Sequence, residues 1–278
     1  MDKETVLITG TSSGFGFLAA IHLAKKGYFV IATMRDMSKK ELLLTEAKKR
    51  NVTNNIEVLS LDVNNSNDIF EVKKHIETQY GKLDILINNA GFCLGGMTEF
   101  ANLHEWKHQF DTNVLSVVAV TQAFIPMMRE RRKGRIINIG SISGRFGFPG
   151  MGAYATSKFA LSGLSESLRL ELMPFNIHVS IIEAGSFKTN IWDKSLENVE
   201  LKLHKDYDNF IQFIYKEAKQ TAEQAEDPKE VILLIEKICR SKKPRLRYLV
   251  GKGVKLMVFL KAILPWSFIE AMFLRKFK

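Results

Sequence analysis

Short apolar runs alternate with longer segments of helical periodicity along this chain of 278 residues. Runs rich in β-branched and apolar residues predict strands at residues 5–8, 28–33, 56–61, 83–87, 135–139, 177–182 and 246–250. Strands that alternate with helices favour a parallel sheet covered by helices on both faces. An α/β chain of this length often forms one domain. The pattern therefore predicts an α/β fold, a single-domain, three-layer, doubly wound parallel sheet over residues 1–250.

A glycine-rich turn lies between the first predicted strand and the first predicted helix. It reads Thr9-Gly-Thr-Ser-Ser-Gly-Phe-Gly16, and Gly27 stands beyond the end of the helix as a stop signal. In this context glycines let the backbone approach a pyrophosphate, and the helix N-terminus favours its negative charge. The context predicts a Rossmann-like dinucleotide site, although a plain surface turn is the alternative for such a loop alone.

Tyr154 and Lys158 stand four residues apart, thirteen positions after Ser141. On a helix this spacing places both side chains on one face. A phenol with a pKa near ~10 is a weak acid–base catalyst, and a neighbouring ammonium is expected to lower that pKa. The Ser141 hydroxyl, at the end of a predicted strand, could hold a carbonyl beside the phenol. A chance Tyr-x-x-x-Lys is the alternative for the pair alone.

Together these motifs resemble the short-chain dehydrogenase/reductase family over about residues 3–190, with details similar to its steroid and retinol dehydrogenase branch. The resemblance implies that Asp62 bonds adenine, that the Asn88-Asn-Ala-Gly91 segment backs the cofactor cleft, that Asn113 supports a water-linked proton relay, and that Thr189 contacts the nicotinamide carboxamide. A turn or a cap is the alternative role for Asp62 and for Asn89.

The predicted catalytic residues are Asn113, Ser141, Tyr154 and Lys158, and the predicted cofactor-binding residues are Gly10, Ser12, Ser13, Gly14, Gly16, Arg35, Asp62, Val63, Asn89, Ala90, Gly91, Tyr154, Lys158 and Thr189.

One position departs from the family pattern. The family usually has Pro-Gly after the strand that follows the catalytic helix, whereas this chain has Ala184-Gly185. Proline fixes one backbone angle, and alanine can adopt the same angle at an entropic cost. The substitution puts the rigidity of this turn in question more than its role.

The end of the second predicted strand bears on the choice of cofactor. An acid at this tip would bond the free ribose hydroxyl of NAD and repel a 2′-phosphate. Thr33 occupies the tip, Arg35 follows within reach, and a guanidinium matches phosphate geometry. Asp36 is expected to point away if the segment stays extended. The pattern favours NADP(H) over NAD(H), with an exposed Arg-Asp pair on a loop as the alternative.

Positive charge is concentrated at the C-terminus. The whole chain has 40 Lys and Arg against 30 Asp and Glu, and residues 240–278 contain eleven of these bases and one of these acids, Glu270. The apolar and aromatic segment 251–278 therefore forms a basic extension, which could pack near the substrate pocket, pack on a second subunit, or lie on an anionic membrane surface. Nothing in the chain indicates nucleic-acid readout.

Apolar residues near the catalytic motifs indicate a bulky, lipid-like carbonyl or alcohol substrate. The resemblance implies a substrate lid at about 186–227, and the alternative for the aromatic face of this lid is an ordinary core. The predicted function is an NADP(H)-dependent oxidoreductase; the alternative is a catalytically silent NADP(H)-binding regulatory or scaffold protein.

Two dispersed cysteines and no metal spacing favour a cytoplasmic protein without a metal. The resemblance implies a homodimer or homotetramer in which the helix that contains residues 112–128 and the catalytic helix, predicted at about 152–173, pair across a two-fold axis. The catalytic helix presents Phe159, Gly163 and Leu170 for this pairing. The apolar candidates are Phe92, Leu94, Met97, Phe146 and Phe148 near the motifs, and Tyr207, Phe210, Ile211 and Ile214 in the lid.

Overall fold

Seven parallel strands form one sheet at the centre of the molecule. The computed structural model describes residues 3–189 and 205–277. The strand order β3-β2-β1-β4-β5-β6-β7 confirms the predicted doubly wound α/β fold, and observed strand limits lie within two residues of the predicted ones. The strands are β1 (Thr5–Ile8), β2 (Phe29–Met34), β3 (Ile56–Ser60), β4 (Ile85–Asn88), β5 (Gly134–Ile139), β6 (Ile177–Ala184) and β7 (Arg247–Val250).

Helices cover both faces of the sheet. Apolar side chains of the first, second and eighth helices pack on one face, and those of the third, fifth and sixth pack on the other. The order of strands reverses between β1 and β4, and ligands of open α/β sheets bind at the carboxyl ends of strands beside such a reversal. The helices are α1 (Gly14–Lys25), α2 (Lys40–Lys49), α3 (Ser66–Tyr80), α4 (Leu103–Phe110), α5 (Ser116–Glu130), α6 (Gly152–Leu172), α7 (Asp208–Glu223), α8 (Lys229–Arg240), α9 (Val254–Ile263) and α10 (Trp266–Phe277).

A π-helical turn at Asp111–Leu115 joins α4 and α5 into one long helix. By length and composition the combined helix, Leu103–Glu130, could cross a membrane. However, Val120, Phe124 and Met128 are buried in the core beneath the sheet. The helix is therefore part of the hydrophobic core of the α/β domain.

The basic C-terminal extension forms two further helices, α9 and α10. Phe273 and Phe277 of α10 make edge-on ring contacts with Phe210 and Phe213 of α7. The predicted lid lies partly at positions 190–204, outside the described residues, and α7 is its main described element. The extension thus packs on the lid helix.

Candidate active site

The strand ends and the start of α6 bring the predicted catalytic side chains together. Ser141 follows β5 by two residues, and Tyr154 and Lys158 lie in the first two turns of α6. Tyr154 and Lys158 are buried. The Lys158 Nζ donates a hydrogen bond to the carbonyl of Ile139 at 2.9 Å and lies 5.7 Å from the centre of the Tyr154 ring. The predicted serine, tyrosine and lysine therefore form one cluster.

Ser141 is placed to assist the phenol. Its backbone is extended, and its Oγ accepts a hydrogen bond from the backbone N–H of Ser143 at 3.1 Å. Its hydroxyl also bonds the Tyr154 phenol. A carbonyl oxygen that reached the phenol would meet both hydroxyl groups, as carbonyl activation requires.

Burial dominates the protonation of this cluster. It raises the pKa of Tyr154, and the Ser141 hydrogen bond offsets only part of that rise. This direction is opposite to the one expected from the neighbouring Lys158, because removal of a phenolate from water is costly. Burial also lowers the pKa of Lys158 from 10.5 to about 8. At neutral pH the phenol therefore keeps its proton and can act as a donor.

Asn113 ties the loop after β4 to the catalytic helix. Its Nδ2 donates to the Phe92 carbonyl and to the Ser157 Oγ, each at 3.0 Å, and its Oδ1 accepts from the Phe92 N–H at 3.1 Å. Ser157 in turn donates to the Tyr154 carbonyl at 2.7 Å. Asn113 lies within the π-helical turn, a feature frequent at functional sites. Its role in a water-linked relay stays a prediction.

The glycine loop approaches the Asn-Asn-Ala-Gly segment so closely that side chains would not fit. Gly10 has a φ of +70°, and a Cβ there would lie 2.8 Å from the Ala90 Cα. The Asn89 Nδ2 donates to the carbonyls of Thr9 and Gly10, each at 2.9 Å. A Cβ on Gly16 would collide with the Gly10 carbonyl and with the Asn89 amide. The structure thus places Asn89 as a support of the loop, and its direct contact with a cofactor stays a prediction.

The N-terminus of α1 fits the pyrophosphate of a dinucleotide. Ser13 at the N-cap is extended, and its side chain forms no capping hydrogen bond. The first turn of α1 contains no acidic residue. The first amides of α1 are therefore left for an anion, which the helix dipole favours. Ser12 precedes this N-cap, and Thr189 comes within 3.6 Å of a Cβ built on Gly14. Loop, helix and Thr189 form a cradle that suits a nicotinamide dinucleotide.

Two side chains at the end of β2, Thr33 and Asp36, bear on the predicted choice of cofactor. The Thr33 hydroxyl donates to the Ile8 carbonyl at 3.0 Å and is buried. Asp36 accepts hydrogen bonds from the Ser38 backbone at 3.1 Å and from the Ser38 hydroxyl at 2.6 Å. These bonds lower the pKa of Asp36 and commit its carboxylate to the local turn.

Arg35 remains exposed beside the predicted adenine site. The side chain of Arg35 is 71% exposed, and its guanidinium lies 4.0 Å from the Asp62 carboxylate. Asp62 also accepts a hydrogen bond from the Asn64 N–H at 3.0 Å, which is consistent with the alternative role in a turn. Val63 is buried in the core. The cofactor contacts of these residues stay predictions.

Aromatic side chains lie in the loops before α4 and before α6 and in the lid. The rings of Phe146 and Phe148 stack with their centres 6.0 Å apart. From the lid, Tyr207 contacts Phe100, and the Ile214 Cγ2 lies 3.2 Å from a Cβ built on Gly150. The loops before α4 and before α6 therefore make apolar contacts with the lid, and we expect the substrate cleft to lie beside these contacts.

The four lid residues predicted as one apolar face do not all point to this cleft. Ile211 is buried, and Tyr207 and Ile214 face the loops near the catalytic helix. Phe210 instead contacts the α10 rings. The helical spacing alone could not separate these directions because the position of α10 was unknown.

The turn with Ala184 in place of proline is held by its neighbours. Ala184 pairs with Val250 of β7, and the Gly185 N–H donates to the Val250 carbonyl at 2.9 Å. A Cβ on Gly185 would lie 2.8 Å from the Val254 Cγ2 in α9. Strand pairing and the C-terminal extension therefore constrain this turn without a proline ring.

Sequence reasoning missed several residues that build the site. The Thr9 hydroxyl accepts hydrogen bonds from the backbone N–H groups of Asn89 and Ala90, each at 3.0 Å. A buried polar chain joins Asn88 to Asn138 at 2.9 Å, and Asn138 to Ser165 at 2.9 Å. An asparagine within the run Ile-Ile-Asn-Ile was the signal for this chain, because a buried amide must find partners.

Comparisons with known proteins show the family to which the chain is similar. The family model described as short chain dehydrogenase matches residues 4–200. The chain is 40% identical to the uncharacterized oxidoreductase YusZ of Bacillus subtilis over 99% of each protein. It is 35% identical to the 3-ketodihydrosphingosine reductase of Bacteroides thetaiotaomicron, over 92% of this chain and 91% of that protein. It is also 35% identical to human 17-beta-hydroxysteroid dehydrogenase type 1, over 89% of this chain and 77% of that protein.

Solved structures share the fold. A short-chain dehydrogenase from Streptomyces avermitilis has a TM-score of 0.81 at 29% identity, over 98% of this chain and 95% of that one. A serine dehydrogenase complexed with NADP+ has a TM-score of 0.75 at 27% identity, over 88% of this chain and 94% of that one.

The fold and site define a nicotinamide-dependent oxidoreductase with a tyrosine–lysine pair. The chain belongs to the short-chain dehydrogenase/reductase family and acts on an alcohol or a carbonyl group. This membership confirms the family that the motifs indicated.

Proposed function

We propose that the protein transfers hydride between NADP(H) and the carbonyl or alcohol group of a bulky, hydrophobic, lipid-like substrate. The buried cluster of Ser141, Tyr154 and Lys158 carries the proposal. Its position next to the apolar loop before α6 and the glycine-loop cradle supports a site where substrate and cofactor meet. The silent alternative would have lost members of this cluster, and all three are present.

The side chains of the cluster have distinct tasks. When bound, the nicotinamide cofactor supplies hydride in reduction or accepts it in oxidation. Tyr154 gives its phenolic proton to the carbonyl oxygen in reduction and takes it back in oxidation. Ser141 donates to the same oxygen and supports the developing negative charge. Lys158 holds positive charge beside the phenol, and Asn113 keeps the catalytic helix joined to the loop after β4.

Arg35 supports NADP(H) as the cofactor. It is exposed at the end of β2, where the acid that would bond the ribose of NAD is replaced by Thr33. Asp36, the nearest acid along the chain, is occupied by Ser38. A guanidinium recognises a phosphate by paired, charge-assisted hydrogen bonds.

The apolar residues of the loops and the lid support a large apolar substrate. Phe146 and Phe148 lie near the catalytic helix, and the lid supplies Tyr207, which precedes α7, and Ile214 of α7. Two relatives are named for a ketodihydrosphingosine and for a hydroxysteroid, and both names denote lipid-like molecules. We place this substrate class, rather than one compound, in the cleft.

We further propose that the enzyme is a cytoplasmic homo-oligomer whose basic C-terminal extension lies near membrane. The family resemblance supports the oligomer. The exposed apolar residues Phe159 and Leu170 of α6 also support it.

The decisive test is Tyr154→Phe in the full chain, assayed by nicotinamide absorbance with a panel of ketones and aldehydes. Loss of the phenolic proton should lower kcat roughly a hundredfold or more while NADPH affinity stays nearly unchanged. Tyr28→Phe is the matched control because Tyr28 is equally buried but packs in the core on the α1 side of the sheet. A Tyr154→Phe enzyme that kept most of its activity would contradict the assignment.

A further inference from the structure

Exposed apolar side chains concentrate on the two C-terminal helices. On α9, Leu256, Phe259 and Ile263 are exposed. Their spacing of three and four residues places them on one helix face. On α10, the exposed apolar residues are Trp266, Phe268, Met272 and Leu274. Single exposed apolar residues are ordinary, but a group of this size on adjoining helices indicates a surface that another body covers.

The inner sides of the same helices are already occupied by the protein. Val254 of α9 is buried against Gly185, and Lys261 lies over the rings of Phe146 and Phe159 at 4.9 and 5.3 Å. The inner side of α10 packs its Phe273 on α7. The helices are therefore apolar on both sides, and the outer side needs a nonpolar environment of its own.

Basic residues border the outer apolar side. Lys252, Lys255 and Arg275 are exposed beside it, and the chain carries its whole formal charge of +10 within residues 240–278. A two-fold contact between copies through this side would bring the same positive groups together. An anionic surface would instead neutralise them. Charge complementarity therefore favours anionic lipid over a second copy as the occupant.

We propose that α9 and α10 form a membrane-docking surface that lies in the headgroup boundary of a bilayer rich in anionic lipid. The apolar side chains enter the boundary, and the bordering lysines and arginine contact lipid phosphates. The surface is joined to the catalytic cleft through α7, because α10 packs on one side of α7 and Ile214 on another side lies against the Gly150 loop. A lipid-like substrate would thus enter beneath the lid directly from the bilayer.

Vesicle sedimentation of the full chain tests the proposal. The probes are vesicles of phosphatidylcholine alone and of phosphatidylcholine mixed with phosphatidylglycerol, at low and high salt. We expect binding to the anionic vesicles at low salt, and a large loss of binding at high salt or without phosphatidylglycerol. Equal binding to both vesicle types, or no binding at low salt, would overturn the proposal.

Matched variants separate the surface from general stickiness. Phe259→Ser should lower the vesicle-bound fraction several-fold, whereas Phe70→Ser on α3 should leave it unchanged, because the two rings are 59% and 58% exposed. Lys255→Glu should weaken binding about fivefold or more, and Lys74→Glu on α3 should not.

If Phe259→Ser instead dissociates an oligomer in light scattering and leaves vesicle binding intact, a second copy covers the surface and the proposal is wrong. The readout requires no turnover, so its failure would leave the proposed oxidoreductase activity untouched.

Discussion

At the scale of single residues, Arg35 is the side chain that we expect to distinguish the two nicotinamide cofactors. Its guanidinium is 71% exposed at the end of β2 and lies 4.0 Å from Asp62. Arg35→Ala should weaken NADPH roughly tenfold or more and NADH much less, because only NADPH carries the 2′-phosphate. Fluorescence titration with both cofactors measures the effect, with Arg129→Ala at an exposed arginine of α5 as the control. Equal losses for both cofactors would show that Arg35 does not contact the phosphate.

Lys158 gives a pH-dependent signature in the free energy of unfolding. Burial lowers its pKa from 10.5 to about 8 in the folded protein. The folded state therefore binds the Lys158 proton less tightly than the unfolded state does. Below pH 8 this difference lowers the free energy of unfolding by its full amount. That cost disappears as pH rises from 8 to 10.5. The wild type should consequently gain stability over this window relative to a variant without the ammonium.

Thermal unfolding of Lys158→Met checks this sign. We compare the difference in Tm, Lys158→Met minus wild type, at two pH values. This difference should be more positive at neutral pH than near pH 10.5, whatever its absolute value. Loss of the bond to the Ile139 carbonyl lowers the absolute value equally at every pH. Lys74→Met, at an exposed lysine of α3, should show no such slope. A difference that stays flat with pH would contradict the lowered pKa.

At the scale of secondary-structure elements, the contact between α10 and α7 should hold the lid in place. Phe273 contacts the rings of Phe210 and Phe213, with centres 6.0 Å apart in each pair. Phe273→Ala should cost about 1 to 3 kcal/mol in the free energy of unfolding and raise the KM of a bulky substrate. Phe268→Ala on the outer side of α10 is the control. Amide hydrogen exchange in α7 should be faster in Phe273→Ala and unchanged in Phe268→Ala. Unchanged exchange in both variants would contradict a contact that holds the lid in place.

The sequence predicts the elements far better than it predicts their contacts. Strands and the catalytic helix follow from local apolar periodicity, and residues 5–8 and 152–173 were placed within one residue of the observed elements. The π-helical turn around Asn113 was not predicted, because its bonds to the loop after β4 come from tertiary structure. The direction of Phe210 escaped prediction for the same reason. The motifs predicted the residues of the Ser141, Tyr154 and Lys158 cluster, but only burial showed the direction of the Tyr154 pKa.

At the scale of the whole molecule, the C-terminal extension changes the surroundings of the helix expected to pair across a two-fold axis. The stripe of α6 predicted for pairing contains Phe159, Gly163 and Leu170. A cleft of about 460 Å³ separates Phe159 and Gly163 from Val258 and Ala262 of α9. The extension thus lies alongside one end of the stripe and leaves Leu170 exposed at the other end.

We therefore expect a dimer whose central contact lies toward the C-terminal end of α6, with α9 at its margin. Leu170 is 67% exposed, and Leu42 on α2 is 63% exposed on the opposite side of the sheet. Leu170→Arg should convert the dimer to a monomer in light scattering at micromolar concentration, because an isologous interface buries the mutated position twice. Leu42→Arg should leave the mass unchanged. A wild-type protein that is already monomeric would rule out the assembly, and a dimer that tolerates Leu170→Arg would move the contact to another surface.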